Sequence, residues 1–175
     1  MNRAAQRYAP FYCEENVWQL ARSGQVAPAS VVFVSNRTRS CALWAQRAAS
    51  ELSMPVLWDY HVILVAHAKE GPLVYDLDSR LEFPLTLPEY LRGTFPSGDK
   101  LRKTLRPRFR VVDVPEFLEH FGSDRSHMQE DGEWRAPPPD WTRIGEVMNL
   151  FDFVETERDF YGQVGDLTWL IERDW

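Results

Sequence analysis

The chain carries only two cysteines, Cys13 and Cys41. That excludes a small scaffold stapled by disulfides, and with no export signal in view both thiols are expected to be free. No apolar run is long enough to span a bilayer, which excludes a helical membrane protein. The opening MNRAAQRYAP lacks the apolar stretch of a signal peptide, so a cytoplasmic protein is expected, also nuclear in a eukaryotic host. Positive charge is short too: 20 Lys and Arg stand against 26 Asp and Glu, a net charge of −6. This balance argues against a general binder of nucleic acid. Basic residues cluster only over 100–110, KLRKTLRPRFR, which reads as a solvated face. Repeats and low-complexity segments are missing apart from Pro137-Pro138-Pro139. What remains is 175 residues, 44% hydrophobic, enough to bury a full core as a single domain over 1–175.

The strongest strand signal runs over 56–78, VLWDYHVILVAHAKEGPLVYDLD. Two arms rich in β-branched and aromatic residues flank the turn chemistry of Ala68-Lys69-Glu70-Gly71-Pro72. Alternation along the first arm puts Asp59, His61, Ile63 and Val65 on one face, with Trp58, Tyr60, Val62 and Leu64 on the other. Folding the hairpin about Ala68-Lys69 sets His61 opposite Asp76, with Cβ atoms ~5 Å apart. An imidazole beside a carboxylate is an oriented, polarised base, but it attacks nothing on its own. A strand histidine is also commonly a satisfied polar group, and an aspartate near a strand end often caps a turn.

A nucleophile is offered upstream. In FYCEENVWQLAR, Cys13, Val17, Leu20 and Ala21 recur at helical spacing, so a helix is predicted to begin near Cys13 and close at Ser23-Gly24. A thiol in the first turn sits at the positive end of the helix dipole, which lowers its pKa, while Glu14 and Glu15 act in the opposite sense. The plain alternative is a small buried hydrophobe, which is how Cys41 reads among its apolar neighbours. Further strands are predicted over 30–35, 41–44 and 109–114. Helices should open at Pro88, with Tyr90 and Leu91 inward, and at Pro115. LEFPL is expected to leave the sheet, and SDRSHM to form a polar loop holding a second histidine, His127. GQVGDLTWLIERDW is expected to end the chain as a helix burying Leu167, Leu170 and Ile171. Together these features predict an α+β fold, sandwich-like, with a mostly antiparallel sheet and flanking helices. The order Cys, His, Asp recurs in papain-like and transglutaminase-like enzymes, where a helix-borne thiol packs against a sheet that carries the base.

Read in order and spacing, YCEENVW, FVSN, WDYHV, YDLD, FRVV, SDRSHM and W-R-x-P-P-P resemble the protein N-terminal glutamine amidohydrolase family. The resemblance covers nearly the whole chain. It implies a triad made of the Cys of YCEEN, the His of WDYH and the first Asp of YDLD, here Cys13, His61 and Asp76. It further implies conversion of an N-terminal glutamine to glutamate with release of ammonia, through a thioester, with no metal and no cofactor. A monomer acting on peptide or protein N-termini is expected, without nucleic-acid or membrane partners, and its product would feed an N-degron step such as arginylation. Selectivity for a free N-terminus needs a carboxylate for the α-ammonium. Asp59 is the first candidate, Glu15 the second and Asp78 a weaker one. Trp58 is a possible pocket wall, although its parity points to core packing, and Asp124 and Arg125 are candidates to brace the pocket. Two other classes stay open: another thiol acyl-transfer enzyme, such as a cysteine peptidase or transglutaminase, and a non-catalytic reader of protein N-termini.

Overall fold

The computed structural model describes residues 1–51, 53–96 and 100–175. Its centre is β1 (Ala29–Ser35), a run of seven buried residues flanked by β4 (His61–Ala66) and β7 (Arg108–Asp113). Burial on both faces explains why ASVVFVS and HVILVA read as continuous apolar runs rather than half-polar alternations. The sheet extends outward through β5 (Leu73–Tyr75) and β6 (Leu85–Thr86) on one side and β10 (Gln163–Gly165) on the other, every pair antiparallel. Two small hairpins stand apart: β2 (Cys41–Leu43) with β3 (Val56–Trp58), and β8 (Gln129–Glu130) with β9 (Glu133–Trp134).

Helices cover both faces. On one side α1 (Cys13–Arg22), α3 (Val114–His120) and α4 (Leu150–Val154) pack on the sheet. Val17, Leu20, Phe117, Phe121 and Phe153 there meet Val31, Phe33, Val62 and Leu64. On the other side α2 (Leu87–Thr94) and α5 (Leu167–Glu172) bring Tyr90, Leu91 and Leu170 against Val32, Val34, Ile63 and Val65. Each fully buried Val or Leu of these layers stabilises the fold by about 1.5–3 kcal/mol in transfer terms. The expected mixed fold with a mostly antiparallel sheet and flanking helices is what forms.

Five local expectations are corrected. The arm over 56–66 is not one strand: it breaks at Asp59-Tyr60, where the Asp59 carboxylate accepts the Tyr60 N–H at 3.0 Å, and β3 joins a different sheet. The hairpin register is shifted, with Leu64 facing Tyr75 and Val65 facing Val74, so Asp76 lies just past the end of β5 rather than opposite His61. After LEFP the chain returns to the sheet as the edge strand β6. The C-terminal segment is first a strand and then a short helix capped by the Asp166 side chain, and Ile171 is exposed. Within the basic run, Arg110 is not solvated. Its guanidinium is buried and donates to the carbonyls of Phe153, Glu155, Arg158 and Tyr161, tying the segment after α4 to β7.

Candidate active site

The start of α1 is fixed by side chains on each side of Cys13. Asn16 both accepts the Ala9 N–H (2.8 Å) and donates to the Ala9 carbonyl (2.9 Å), which pins the approach to the helix. Tyr12 donates to the Ala136 carbonyl at 3.1 Å. Glu15, fully buried, takes a two-pronged pair from Arg125 (2.7 and 2.8 Å) and a bond from the Trp141 indole (2.7 Å). Phe11 sits at φ +69, a conformation that costs a side-chain-bearing residue about 1–3 kcal/mol and that turns its ring edge-on to Trp58.

Cys13 belongs to the α1 layer, whereas His61 follows Ile63 and Val65 toward the α2 side. They meet where β4 begins, around a cavity of about 360 Å³ lined by both, with Phe11, Trp58, Asp59, Tyr60, Asp78 and His127 also in its wall. His61 Nε2 lies 3.0 Å from Asp76 Oδ1, an ion-pair distance, without meeting full hydrogen-bond geometry. Asp76 is held from behind: Tyr90 Oη donates to Oδ2 at 2.8 Å and the Asp78 N–H to Oδ1 at 2.9 Å. The Trp58 ring stacks on the imidazole at 6.0 Å and 15°, and its N–H donates to Gln46, which also reaches toward Asp76. The Cys13 thiol donates not to His61 but to Glu14 Oε2, at 3.7 Å.

Charges set the resting protonation. Burial, then Glu14, Asp78 and Asp76, push the Cys13 thiol well above its usual range, against the Val62 N–H, which favours the thiolate. The helix dipole invoked from the sequence is therefore outweighed. Burial by itself would lower His61, but the adjacent Asp76, together with the charges of Asp78 and Glu14, outweighs it and the net direction is upward from 6.5. Asp76 goes the other way: burial disfavours its charge, yet His61, Tyr90 and the Asp78 N–H hold it below its usual range. Asp78 is raised, chiefly by burial.

The structure thus brings Cys13, His61, Asp59, Asp78 and Trp58 to one cavity, with Asp76 directly behind the imidazole. Trp58 does both things expected of it: it packs against the core layer on the α2 side and also faces the site, because the break at Asp59-Tyr60 resets the alternation. Asp59 reaches the cavity from that break, exposed, rather than along the His61 strand. Glu15 is not brought there: both its oxygens are taken by Arg125 and Trp141. Sequence reasoning missed Tyr90 and Gln46 as partners of Asp76, and Glu14 as a group bonded to the thiol. No local signal marks the first two; Glu14 was visible only as a neighbour of the cysteine. Larger cavities of about 580 and 620 Å³ lie elsewhere, around Arg37 and Lys103 and beside Trp175, but neither sets a thiol near a base.

Comparison with known proteins identifies the relatives of this chain. The model of the N-terminal glutamine amidase family matches residues 8–173. Curated proteins named protein N-terminal glutamine amidohydrolase are similar over most of their length. The Arabidopsis thaliana protein is 42% identical over 85% of this chain and 74% of its own. That of Danio rerio is 39% identical over 92% and 85%, and that of Homo sapiens 37% identical over 86% and 78%. The chain belongs to the N-terminal glutamine amidase family, a family of amidohydrolase enzymes.

Proposed function

We propose that this enzyme converts the side-chain amide of an N-terminal glutamine to a carboxylate, releasing ammonia, with Cys13 as nucleophile, His61 as base and acid, and Asp76 as the group that orients and charges His61. The observation that carries this reading is a cavity shared by a helix-start thiol and a carboxylate-backed imidazole. The arrangement has the logic of papain-like and transglutaminase-like cores. With Nε2 set against Asp76 at 3.0 Å, Nδ1 is the ring atom left to take the Cys13 proton. The sulfur adds to the amide carbon, and the Cys13 main-chain N–H at the helix start meets the oxyanion, a contribution of about 3 kcal/mol per donor. The imidazolium hands its proton to the departing nitrogen, so ammonia leaves and a thioester remains. Water then adds to the thioester, giving its proton to His61. Collapse releases the acid and returns that proton to the sulfur.

The α-nitrogen of glutamine lies about 5 Å from its amide carbon, from ordinary bond lengths. Asp59 and Asp78, both in the cavity wall, are the carboxylates we assign to that ammonium. Trp58 and Phe11 supply apolar walls for the glutamine methylenes. The test is a peptide panel read by ammonia release and mass spectrometry. Free N-terminal Gln should become Glu, while internal Gln and acetylated Gln persist. Backbone cleavage or amine incorporation would instead indicate a peptidase or transglutaminase. Stoichiometric binding without ammonia would indicate a non-catalytic reader.

A further inference from the structure

Glu14 has no role in the reaction just described, yet it is fully buried, and among the hydrogen bonds of the described residues it alone accepts from the Cys13 thiol. Its Oε2 takes the S–H at 3.7 Å and the Tyr60 hydroxyl at 3.0 Å, so two donors converge on one oxygen. Its Oε1 lies 3.4 Å from His127 Nε2 and makes no hydrogen bond. The His127 ring nitrogen stands 3.2 Å from the Tyr60 hydroxyl, which closes a three-membered cluster behind the cavity wall. Tyr60 and His127 line the cavity; Glu14 does not, so it acts on a bound molecule only through Cys13 and these two.

We propose that Glu14 is a positioning residue that holds the Cys13 S–H away from His61 in the empty site and yields it when the α-ammonium of the substrate enters the cavity. This rests on the deamidation reading above and adds to it: sensing a free amino terminus and arming the nucleophile become one event. The titratable and charged groups around the sulfur are Glu14 on α1 and Asp76 and Asp78 after β5, whose charges act on it, with Asp59, Tyr60, His61, His127 and Arg135 in the wall of the cavity it shares. Three of these, Glu14, Asp76 and Asp78, are carboxyl groups whose charge resists thiolate formation. A cation seated about 5 Å from the carbon under attack opposes those charges at comparable range. A glutamine with a blocked α-nitrogen brings no such charge, so it is refused in kcat as well as in KM.

The experiment uses the full chain and reads alkylation of Cys13 by iodoacetamide against pH, with buried Cys41 as the internal control. Glu14→Gln should move the alkylation midpoint to lower pH and raise the rate at neutral pH about tenfold, the scale of one adjacent charge. Glu14→Asp, which keeps the charge, should restore most of the native profile; circular dichroism checks that each variant is folded. On the native chain alaninamide, an amine too short to occupy the sulfur, should accelerate alkylation several-fold, and N-acetylalaninamide should not. An unmoved midpoint in folded Glu14→Gln overturns the proposal, as does equal behaviour of the two amides on the native chain. None of these readings needs glutamine turnover: a panel without ammonia refutes the reaction, and an unmoved midpoint refutes the clamp.

Discussion

Replacing Asp76 with Asn keeps the shape of the side chain and removes its charge, which makes it the sharpest probe of the imidazole. In the native site Asp76 is 2% exposed, receives the Tyr90 hydroxyl and the Asp78 N–H, and lies 3.0 Å from His61 Nε2. An asparagine still accepts through its carbonyl, but its NH₂ must face one of these donors. A donor set against a donor leaves a buried N–H unsatisfied, at about 1–3 kcal/mol. The ring can escape by moving its proton to Nδ1, the atom that has to accept from Cys13. Together with the lost stabilisation of the imidazolium, this predicts a fall in kcat of about three to four orders of magnitude, or about 4–5.5 kcal/mol. The pH sign follows from the same pair. His61 is raised because Asp76, helped by Asp78 and Glu14, overcomes burial, and activity requires the Cys13/His61 pair to shed one proton. The acid limb of kcat/KM therefore lies above pH 6.5 in the native enzyme and moves to lower pH in Asp76→Asn, where burial is opposed only by the charges of Asp78 and Glu14. Ammonia release from a Gln-initiated peptide across pH measures both. A variant within tenfold of native kcat, with its acid limb unmoved, would refute the reasoning.

Three further outcomes are expected. Cys13→Ala folds as the native chain does and releases no ammonia above background, read in the same coupled assay. Asp59→Asn and Asp78→Asn each raise KM for free N-terminal Gln about tenfold or more, as loss of a charged partner predicts; steady-state kinetics on free and acetylated peptides would expose an effect common to both substrates. Arg125→Met leaves the buried Glu15 carboxylate with only the Trp141 N–H and lowers unfolding free energy by about 3–5 kcal/mol in a urea titration, whereas a loss below 1 kcal/mol would contradict the account of that pair.

Much of the architecture was legible because burial writes itself as apolar runs. ASVVFVS, HVILVA and the 13–17–20–21 spacing of α1 need no tertiary information to read. Register was not, because a turn at Ala68–Gly71 with Gly71 at φ +115 centres one residue later than the local composition suggested. Trp58 was legible only in part. It packs on the core as its parity suggests, but alternation holds only within an unbroken strand. Where the Tyr60 N–H bonds the Asp59 carboxylate the strand ends, and the indole also meets the imidazole. His61 and Asp76 still meet, since the shift preserves parity and moves Asp76 along its own face. The partners of the site were illegible for a different cause. Tyr90 comes from α2, Gln46 from a loop, and His127 from a segment far along the chain. Only packing brings them to Asp76 and Glu14. Glu15 shows the converse, a carboxylate next to the site in sequence whose bonds all go to the fold.

The central claim is that the sulfur of Cys13 takes the acyl group of the glutamine side chain. Rapid acid quench during turnover of a Gln-initiated peptide, followed by intact-mass and fragment analysis, tests it directly. The account predicts an adduct equal to the peptide minus ammonia, mapped to Cys13 and discharged by hydroxylamine. Full turnover with no adduct, in a chain whose Cys13 has been replaced by alanine, would contradict it.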